Sequence, residues 1–182
     1  PRADVTYSPV LVLADGMGGY TGGAIASQII IQSFNEIYLQ IQQSSLSFSD
    51  LSETVITLSL RKMQEKAKED SQFQNMGSTL AAVCLGMDKV DFANVGDSRI
   101  YLIRKEEIKQ LSYDHSFVGD AIRAGLLTPI QAANHPKKNQ LTQSVSARRS
   151  EVRAYHGSHP LTVDDVILLC SDGVWGVVSE SM

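Results

Sequence analysis

The sequence predicts an α+β fold in which helices cover the outer faces of an antiparallel sheet system. Two helical patterns stand early in the chain, and a run of short apolar strands joined by tight turns follows them. Strands and helices do not alternate regularly, which disfavours a parallel sheet. The 182 residues, 43% of them hydrophobic, suffice for a compact core, so we expect a single domain over residues 1–182.

The first third of the chain predicts one strand and two helices. An apolar run at residues 9–14 is typical of a strand buried on both faces. Apolar residues then recur at helical spacing over about 24–43, which predicts the first helix. A loop is expected at residues 44–49, and Asp50 with Glu53 resembles a capping pair at the start of a second helix.

The middle of the chain is rich in strand patterns. Residues 79–87, 90–95, 99–104 and 108–111 are apolar segments separated by very short connections. Consecutive strands with short connections normally pair with their neighbours, so these segments predict an antiparallel meander.

The final third mixes helical and extended patterns. Thr128 before Pro129 predicts a helix start, and that helix should end near His135, which precedes another proline. Residues 152–156 are predicted as an edge strand, and the apolar run 166–170 as another buried strand.

Composition disfavours several classes of function. A net charge of −4 is unsuited to binding the phosphate backbone of a nucleic acid. No apolar run approaches the roughly 20 residues needed to span a bilayer, so no membrane span is expected. The two cysteines, Cys84 and Cys170, lie in apolar runs and are expected to be buried reduced thiols, which points to a cytoplasmic location.

Three apolar strands end at an aspartate beside a glycine. They are the strands before Asp15-Gly16, Gly96-Asp97 and Asp172-Gly173. Carboxylates are hard ligands that select Mg²⁺, Mn²⁺ or Ca²⁺, and an adjacent glycine lets a backbone carbonyl approach the same ion. Two such ions can activate a water and hold a phosphoryl group. Each Asp-Gly step also has the ordinary sequence of a turn, and spacing alone leaves that alternative open.

Other phosphate-binding or metal-binding sites are not supported. A dinucleotide-binding fingerprint needs a third glycine where Thr21 stands. A cysteine phosphatase needs an arginine six residues after its nucleophile, and neither Cys84 nor Cys170 has one. The four histidines lack the spacing of a zinc site.

Six short motifs occur in an order that is specific as a set. They are Leu13-Ala14-Asp15-Gly16-Met17-Gly18-Gly19, Met76-Gly77-Ser78-Thr79, Ala93-Asn94-Val95-Gly96-Asp97-Ser98-Arg99, Asp114-His115-Ser116, His135-Pro136 and Cys170-Ser171-Asp172-Gly173-Val174-Trp175. This series resembles the metal-dependent protein phosphatase family (PPM, or type 2C) in its bacterial branch, and the resemblance covers nearly the whole chain.

The resemblance implies a central antiparallel β-sandwich flanked by helix pairs, in α/β/β/α layers. It implies a serine/threonine protein phosphatase that hydrolyses phosphoserine and phosphothreonine with a metal-activated water. Phosphorylated proteins and a cognate serine/threonine kinase would be its partners. Residues of about 116–140 would form a mobile flap that affects substrate choice.

The resemblance also implies the ligands of two Mn²⁺ or Mg²⁺ ions. Asp15 would bridge both ions, the Gly16 carbonyl would bind one, and Asp172 would hold the other, which makes Asp15 and Asp172 the catalytic residues. Asp97 would help to bind a third ion. That third ion should bind weakly, because Gly176 stands where the family often has an aspartate.

The chain departs from the family at both ends and at one site position. No arginine and Asn-Glu-Asp run of the family's kind is found before Asp15, and the chain stops at Met182, before the family's last metal-binding aspartate. The domain is therefore expected to be incomplete, and a catalytically weak or inactive regulatory or binding module is the alternative function. Met17 stands where many eukaryotic members carry a histidine that acts as general acid, so another group must protonate the leaving oxygen.

Overall fold

Short antiparallel strands and two long helices make up the computed structural model, which describes residues 8–41 and 46–178. The strands are β1 (Val10–Leu13), β2 (Gly16–Met17), β3 (Gly77–Ser78), β4 (Leu80–Leu85), β5 (Lys89–Val95), β6 (Arg99–Arg104), β7 (Glu107–Gln110), β8 (Val145–Ser146), β9 (Tyr155–Pro160) and β10 (Val166–Cys170). The helices are α1 (Tyr20–Ile41), α2 (Phe48–Glu69), α3 (Phe117–Arg123), α4 (Pro129–Ala133) and α5 (Asp172–Trp175), with a 3₁₀ turn at Ser71–Phe73.

The strands form three antiparallel sheets. The first has the order β1-β4-β5-β9, the second β10-β6-β7, and a small third sheet β2-β3-β8. Every pairing of named strands in the described residues is antiparallel, which excludes the parallel sheet of a dinucleotide-binding fold.

Strand β4 separates two hydrophobic cores. Leu80 and Ala82 face the cluster built by α1 and α2, whereas Ala81 and Val83 face the cluster shared with the second sheet. All four side chains are buried, and the alternation follows from the two-residue period of a strand. The described residues thus form a helix pair, a sheet and a second sheet in successive layers, which confirms the expected α+β sandwich.

The predicted meander is wrong at one connection. Strands β4 and β5 pair, and β6 pairs with β7, but β5 and β6 belong to different sheets. Gly96 has a φ of +95° between them, a conformation that favours glycine and redirects the chain. Strand β6 pairs instead with β10, a partner that lies far away in the sequence.

Two strands predicted to be fully buried lie at sheet edges among the described residues and have partly exposed faces. Leu11 of β1 is 45% exposed, and Val166 and Leu168 of β10 are 54% and 37% exposed. An edge strand has a neighbour on one side only, and an apolar sequence run does not reveal this. The predicted edge strand at 152–156 is confirmed as β9, which begins three residues later than expected.

Helix starts differ from the sequence expectation where glycine or serine decides the first turn. Helix α1 begins at Tyr20, earlier than the predicted start at about residue 24. Its first turns lie against the strand, where a Cβ on Gly16 would be 2.0 Å from the Gly23 carbonyl oxygen. Residues 42–45, which include the predicted end of this helix, lie outside the described residues. Helix α2 is capped by Ser47, not by Asp50, whose amide donates to the Ser47 hydroxyl at 3.1 Å.

The predicted start of the helix at Thr128 is confirmed. Thr128 caps α4 with a full capping box, and Pro129 is the first helical residue. Cys170 is buried as predicted, whereas Cys84 is only half-buried, and neither forms a disulfide in the described residues. No helix in the described ranges has the length and apolar character needed to cross a membrane.

Candidate functional site

Thr79 holds Asp15 at the end of the first sheet. The Asp15 amide donates to the Thr79 hydroxyl at 3.0 Å, and the Thr79 amide donates to the Asp15 carbonyl at 2.9 Å. These two bonds continue the pairing of β1 with β4 beyond the regular ladder. The backbone of Asp15 is therefore fixed, which gives its carboxylate a defined place at the sheet end.

Thr79 also joins Asp15 to the turn that carries Asp97. Its hydroxyl lies 2.7 Å from the hydroxyl of Ser98, and both side chains are buried. A Cβ on Gly96 would lie 2.7 Å from the Thr79 methyl group. Glycine at 96 therefore permits this close approach as well as the positive φ.

Asp97 and Asp172 meet because of the register between β6 and β10. Cys170 lies opposite Arg99 at the end of this antiparallel ladder. Asp97 lies two residues before Arg99, and Asp172 lies two residues after Cys170. Because the strands are antiparallel, both aspartates lie at the same end of the sheet. The indole N–H of Trp175 donates to the Asp97 carbonyl at 3.0 Å and closes the arrangement.

Burial and the charge of Asp172 raise the pKa of both Asp15 and Asp97. The pKa of Asp97 is raised to about 6, first by burial and then by the negative charges of Asp172, Asp114 and Asp15. Burial also raises the pKa of Asp15, and both the charge of Asp172 and a hydrogen bond between the two carboxyl groups add to this shift. Like charges in one partly buried place favour protonation, or a bound cation in place of the proton.

The arrangement fits an ion that keeps part of its water shell. In the described residues, no group of three or more His, Cys, Asp or Glu side chains is arranged so that it could hold a metal ion by itself. Asp172 nevertheless lies near enough to both Asp15 and Asp97 to raise the pKa of each. Mg²⁺, a hard ion, commonly binds through one or two carboxylates and retains several waters, which suits such an open set of oxygens.

Gly16 and Met17 continue from Asp15 into β2. Gly16 lies opposite Ser78 of β3, and its amide donates a hydrogen bond to the Asp15 carboxylate, which lowers the pKa of that group. Nothing in the geometry tests the predicted role of the Gly16 carbonyl as a ligand, which stays a prediction. Met17 is partly exposed beside this strand and has no proton to donate.

Residues 116–140 lie outside the three sheets and are attached to the rest of the fold at the base of the segment. Ser116 and Leu141 form an isolated antiparallel bridge at its base. His115 fastens that base to the site, because its amide donates to the Gly96 carbonyl at 2.9 Å and its Nδ1 accepts the Gly96 amide at 3.2 Å. His115 thus ties the base of this segment to the sheet end.

Sequence reasoning found the aspartates but missed the hydroxyl residues that connect them. In the sequence, Thr79 and Ser98 are single residues within two of the motifs, each close to a strand end, and no local pattern marks them as partners. Their contact spans 19 positions in the sequence, so it becomes apparent only when the pairing of β4 with β5 is known.

Comparison with known proteins gives one consistent result. Residues 3–181 match the family model described as protein phosphatase 2C. The chain is 34% identical over 173 residues to the protein phosphatase PhpP of Streptococcus pneumoniae, a match that covers 94% of this chain and 70% of the relative.

Solved structures agree with the sequence match. A serine/threonine phosphatase from S. agalactiae superposes with a TM-score of 0.82 and 35% identity, over 94% of this chain and 71% of that one. The catalytic domain of the phosphatase PstP, solved with two manganese ions, gives a TM-score of 0.77 and 26% identity, over 93% of this chain and 70% of that one. Since the family match runs over nearly the whole chain and the fold agrees with it, the chain belongs to the protein phosphatase 2C family.

Proposed function

We propose that this chain is a metal-dependent serine/threonine protein phosphatase whose metal ligands are Asp15, Gly16, Asp97 and Asp172. The reaction class follows from its family and from its similarity to named serine/threonine phosphatases. The observation that supports the ligands is that Asp172, far away in the sequence, lies near enough to add to the effect of burial and raise the pKa of both Asp15 and Asp97.

Two Mn²⁺ or Mg²⁺ ions are the proposed cofactors, with a weaker third. The two manganese ions bound to the similar PstP domain support this choice. Asp15, the Gly16 carbonyl and Asp172 would hold the two ions, and Asp97 would help to hold the third. When bound, such ions lower the pKa of water and neutralise charge on a phosphoryl group.

The protein's own contribution is to hold the carboxylates before substrate arrives. Asp15 is fixed by two bonds to Thr79, and the turn of Asp97 is fixed by Gly96, by Ser98 and by the indole of Trp175. Preorganised charges of this kind need no rearrangement during reaction, which is the largest contribution in many enzymes. Met17 cannot protonate the leaving oxygen, so that proton comes from another group.

The substrates are proposed to be proteins phosphorylated on serine or threonine by a cognate kinase. Such substrates exist only where a serine/threonine kinase works, and a cytoplasmic setting is consistent with two cysteines that form no disulfide in the described residues. Segment 116–140 is proposed as the mobile flap that selects among substrates, since it attaches to the sheets at its base through Ser116 and His115.

Hydrolysis of a phosphothreonine peptide in the presence of Mn²⁺ tests this function. We expect activity that is lost with a chelator, and losses in Asp15→Asn and Asp172→Asn larger than the roughly 10- to 100-fold typical of residues behind the ligands. Asp88→Asn is the matched control, because Asp88 is exposed on the turn between β4 and β5.

Two results would contradict the proposal in different ways. Full activity in Asp15→Asn and Asp172→Asn would refute the metal ligands. A chain that neither binds Mn²⁺ in calorimetry nor hydrolyses the peptide would instead support the alternative, a phosphatase-like regulatory module.

A further inference from the structure

The position of Asp172 depends on a very short helix. Asp172 is the first residue of α5, which has four residues and no buried side chain. The helix is closed by a bond from the Gly176 amide to the Asp172 carbonyl at 2.8 Å. A single turn of this kind is not stable by itself, so contacts with the rest of the protein must hold it in place.

Trp175 is the side chain that attaches α5 to the site. Its indole N–H donates to the Asp97 carbonyl at 3.0 Å, and its ring lies under the guanidinium of Arg99, 3.9 Å from the ring centroid. Stacking of a planar guanidinium on an indole is favourable, most of all when both are partly removed from water.

Arg99 is itself held by a buried set of polar partners. Its Nη2 donates to Asp114 at 2.7 Å, its Nε lies 3.1 Å and 3.2 Å from the two carboxylate oxygens, and its Nη1 donates to the Tyr101 hydroxyl at 2.9 Å. The Asp114 carboxylate also accepts the Gln110 amide at 2.9 Å. The side chains of Arg99 and Asp114 are only 18% and 13% exposed, so the guanidinium plane has a fixed orientation.

We propose that Arg99 is a positioning residue for the metal ligands Asp97 and Asp172. Its guanidinium packs on the Trp175 ring and fixes the position of that ring. Trp175 in turn holds the turn at Asp97, through its hydrogen bond, and the start of α5. The inference rests on the proposed function, because it assumes that these two aspartates bind metal. It assigns to Arg99 an effect on metal affinity that a purely structural ion pair would not have.

Arg99→Lys separates the two roles. Lysine keeps one positive charge beside Asp114, but it lacks the planar fork and cannot stack in the same way. We expect Mn²⁺ affinity, measured by calorimetry, to fall about tenfold, as is common when residues behind metal ligands are changed. The emission of Trp175, which is the one tryptophan of the sequence, should also change at saturating Mg²⁺.

Arg104→Lys is the matched control. Arg104 is the last residue of β6, and Arg99 is the first. It also forms a two-bond ion pair with a carboxylate, that of Asp165. The same substitution there should change thermal stability without changing Mn²⁺ affinity or the emission of Trp175.

Each result decides between the two roles. If Arg99→Lys binds Mn²⁺ as tightly as Arg104→Lys does, while Asp172→Asn abolishes binding, the inference is wrong and the proposed function stands. If the unsubstituted chain binds no Mn²⁺, both fall together. Should Arg99→Lys fail to fold, Trp175→Phe tests the same link, since phenylalanine keeps a ring but loses the bond to Asp97; unchanged affinity in that variant would overturn the inference.

Discussion

The two ends of β6 differ in how they treat buried charge. At the Arg104 end, the Asp165 carboxylate accepts two bonds from the guanidinium, at 2.8 and 2.7 Å, and one from the Thr162 amide, at 2.7 Å. These partners hold the pKa of Asp165 well below its usual range. At the Arg99 end, Asp97 stands among other carboxylates, and its pKa is raised to about 6.

The comparison distinguishes a carboxylate whose charge stabilises the fold, that of Asp165, from one whose charge belongs to the candidate functional site, that of Asp97. A carboxylate with its own cation gains from folding and needs nothing further. Carboxylates gathered with one another oppose folding until a proton or a metal ion joins them, and such destabilised groups concentrate at functional sites. Beside these carboxylates, Arg99 forms an ion pair with Asp114, and its guanidinium lies over the Trp175 ring.

The largest expected effect comes from Gly96, where the chain turns into the site end of β6. In Gly96→Ala, the new Cβ would meet the Thr79 methyl at 2.7 Å, and the residue would keep a φ of +95°. We expect a loss of about 1–3 kcal/mol in the free energy of unfolding, measured with denaturant, together with weaker Mn²⁺ binding.

Gly125→Ala is the control for backbone strain alone. Gly125 also has a positive φ, +71°, but a Cβ there would meet nothing within 4 Å. Equal losses of stability in the two variants, with Mn²⁺ affinity intact in both, would show that the contact of Gly96 with Thr79 does not organise the site.

A smaller effect of opposite sign is expected for Asp97→Asn. Removing one of the clustered charges should stabilise the metal-free chain by roughly 1 kcal/mol after solvent screening, and should weaken the binding of an added metal. Thermal melts with chelator and with Mn²⁺ measure both changes. The contrast between the ends of β6 breaks down if Asp97→Asn destabilises the metal-free chain as strongly as Asp165→Asn does.

The smallest effect concerns pH and His115. Burial, and then the charge of Arg123, lower the pKa of His115 in the folded chain, whereas Asp120 and Asp114 act in the opposite direction. The neutral ring accepts the Gly96 amide, and a protonated ring cannot. Folding thus favours the neutral form, so its contribution is complete above the unfolded pKa of about 6.5 and is lost as pH falls through the lower folded pKa.

His115→Asn keeps an acceptor at the same position and removes this titration. Denaturant unfolding from pH 8 to pH 5 should show a steeper loss of stability in the unsubstituted chain than in the variant. Parallel curves would mean that His115 does not link pH to the base of segment 116–140.

Sequence patterns predicted the positions of helices and strands best where a residue type has a single physical reason to occur. Pro129 after Thr128 gave the start of α4, and an apolar run gave the position of β10. They were least informative where two distant segments are in contact. The close approach of Gly16 to Gly23 in the first turns of α1, and that of Gly96 to Thr79 at the break between β5 and β6, are contacts that the local pattern does not contain. The cap of α2 is by contrast a local contact, in which the prediction chose Asp50 instead of Ser47.

By itself the sequence determined the α+β class, the family resemblance and the three strand-end aspartates, because apolar runs and short ordered motifs are local properties of the chain. The tertiary structure decided that Asp172 lies near both Asp15 and Asp97, and that Thr79, Ser98 and Trp175 hold the backbone around these aspartates. The physical reason is register: pairing of β10 with β6 and of β1 with β4 brings residues together across 63 or more positions, and only long-range hydrogen bonds and packing select that pairing.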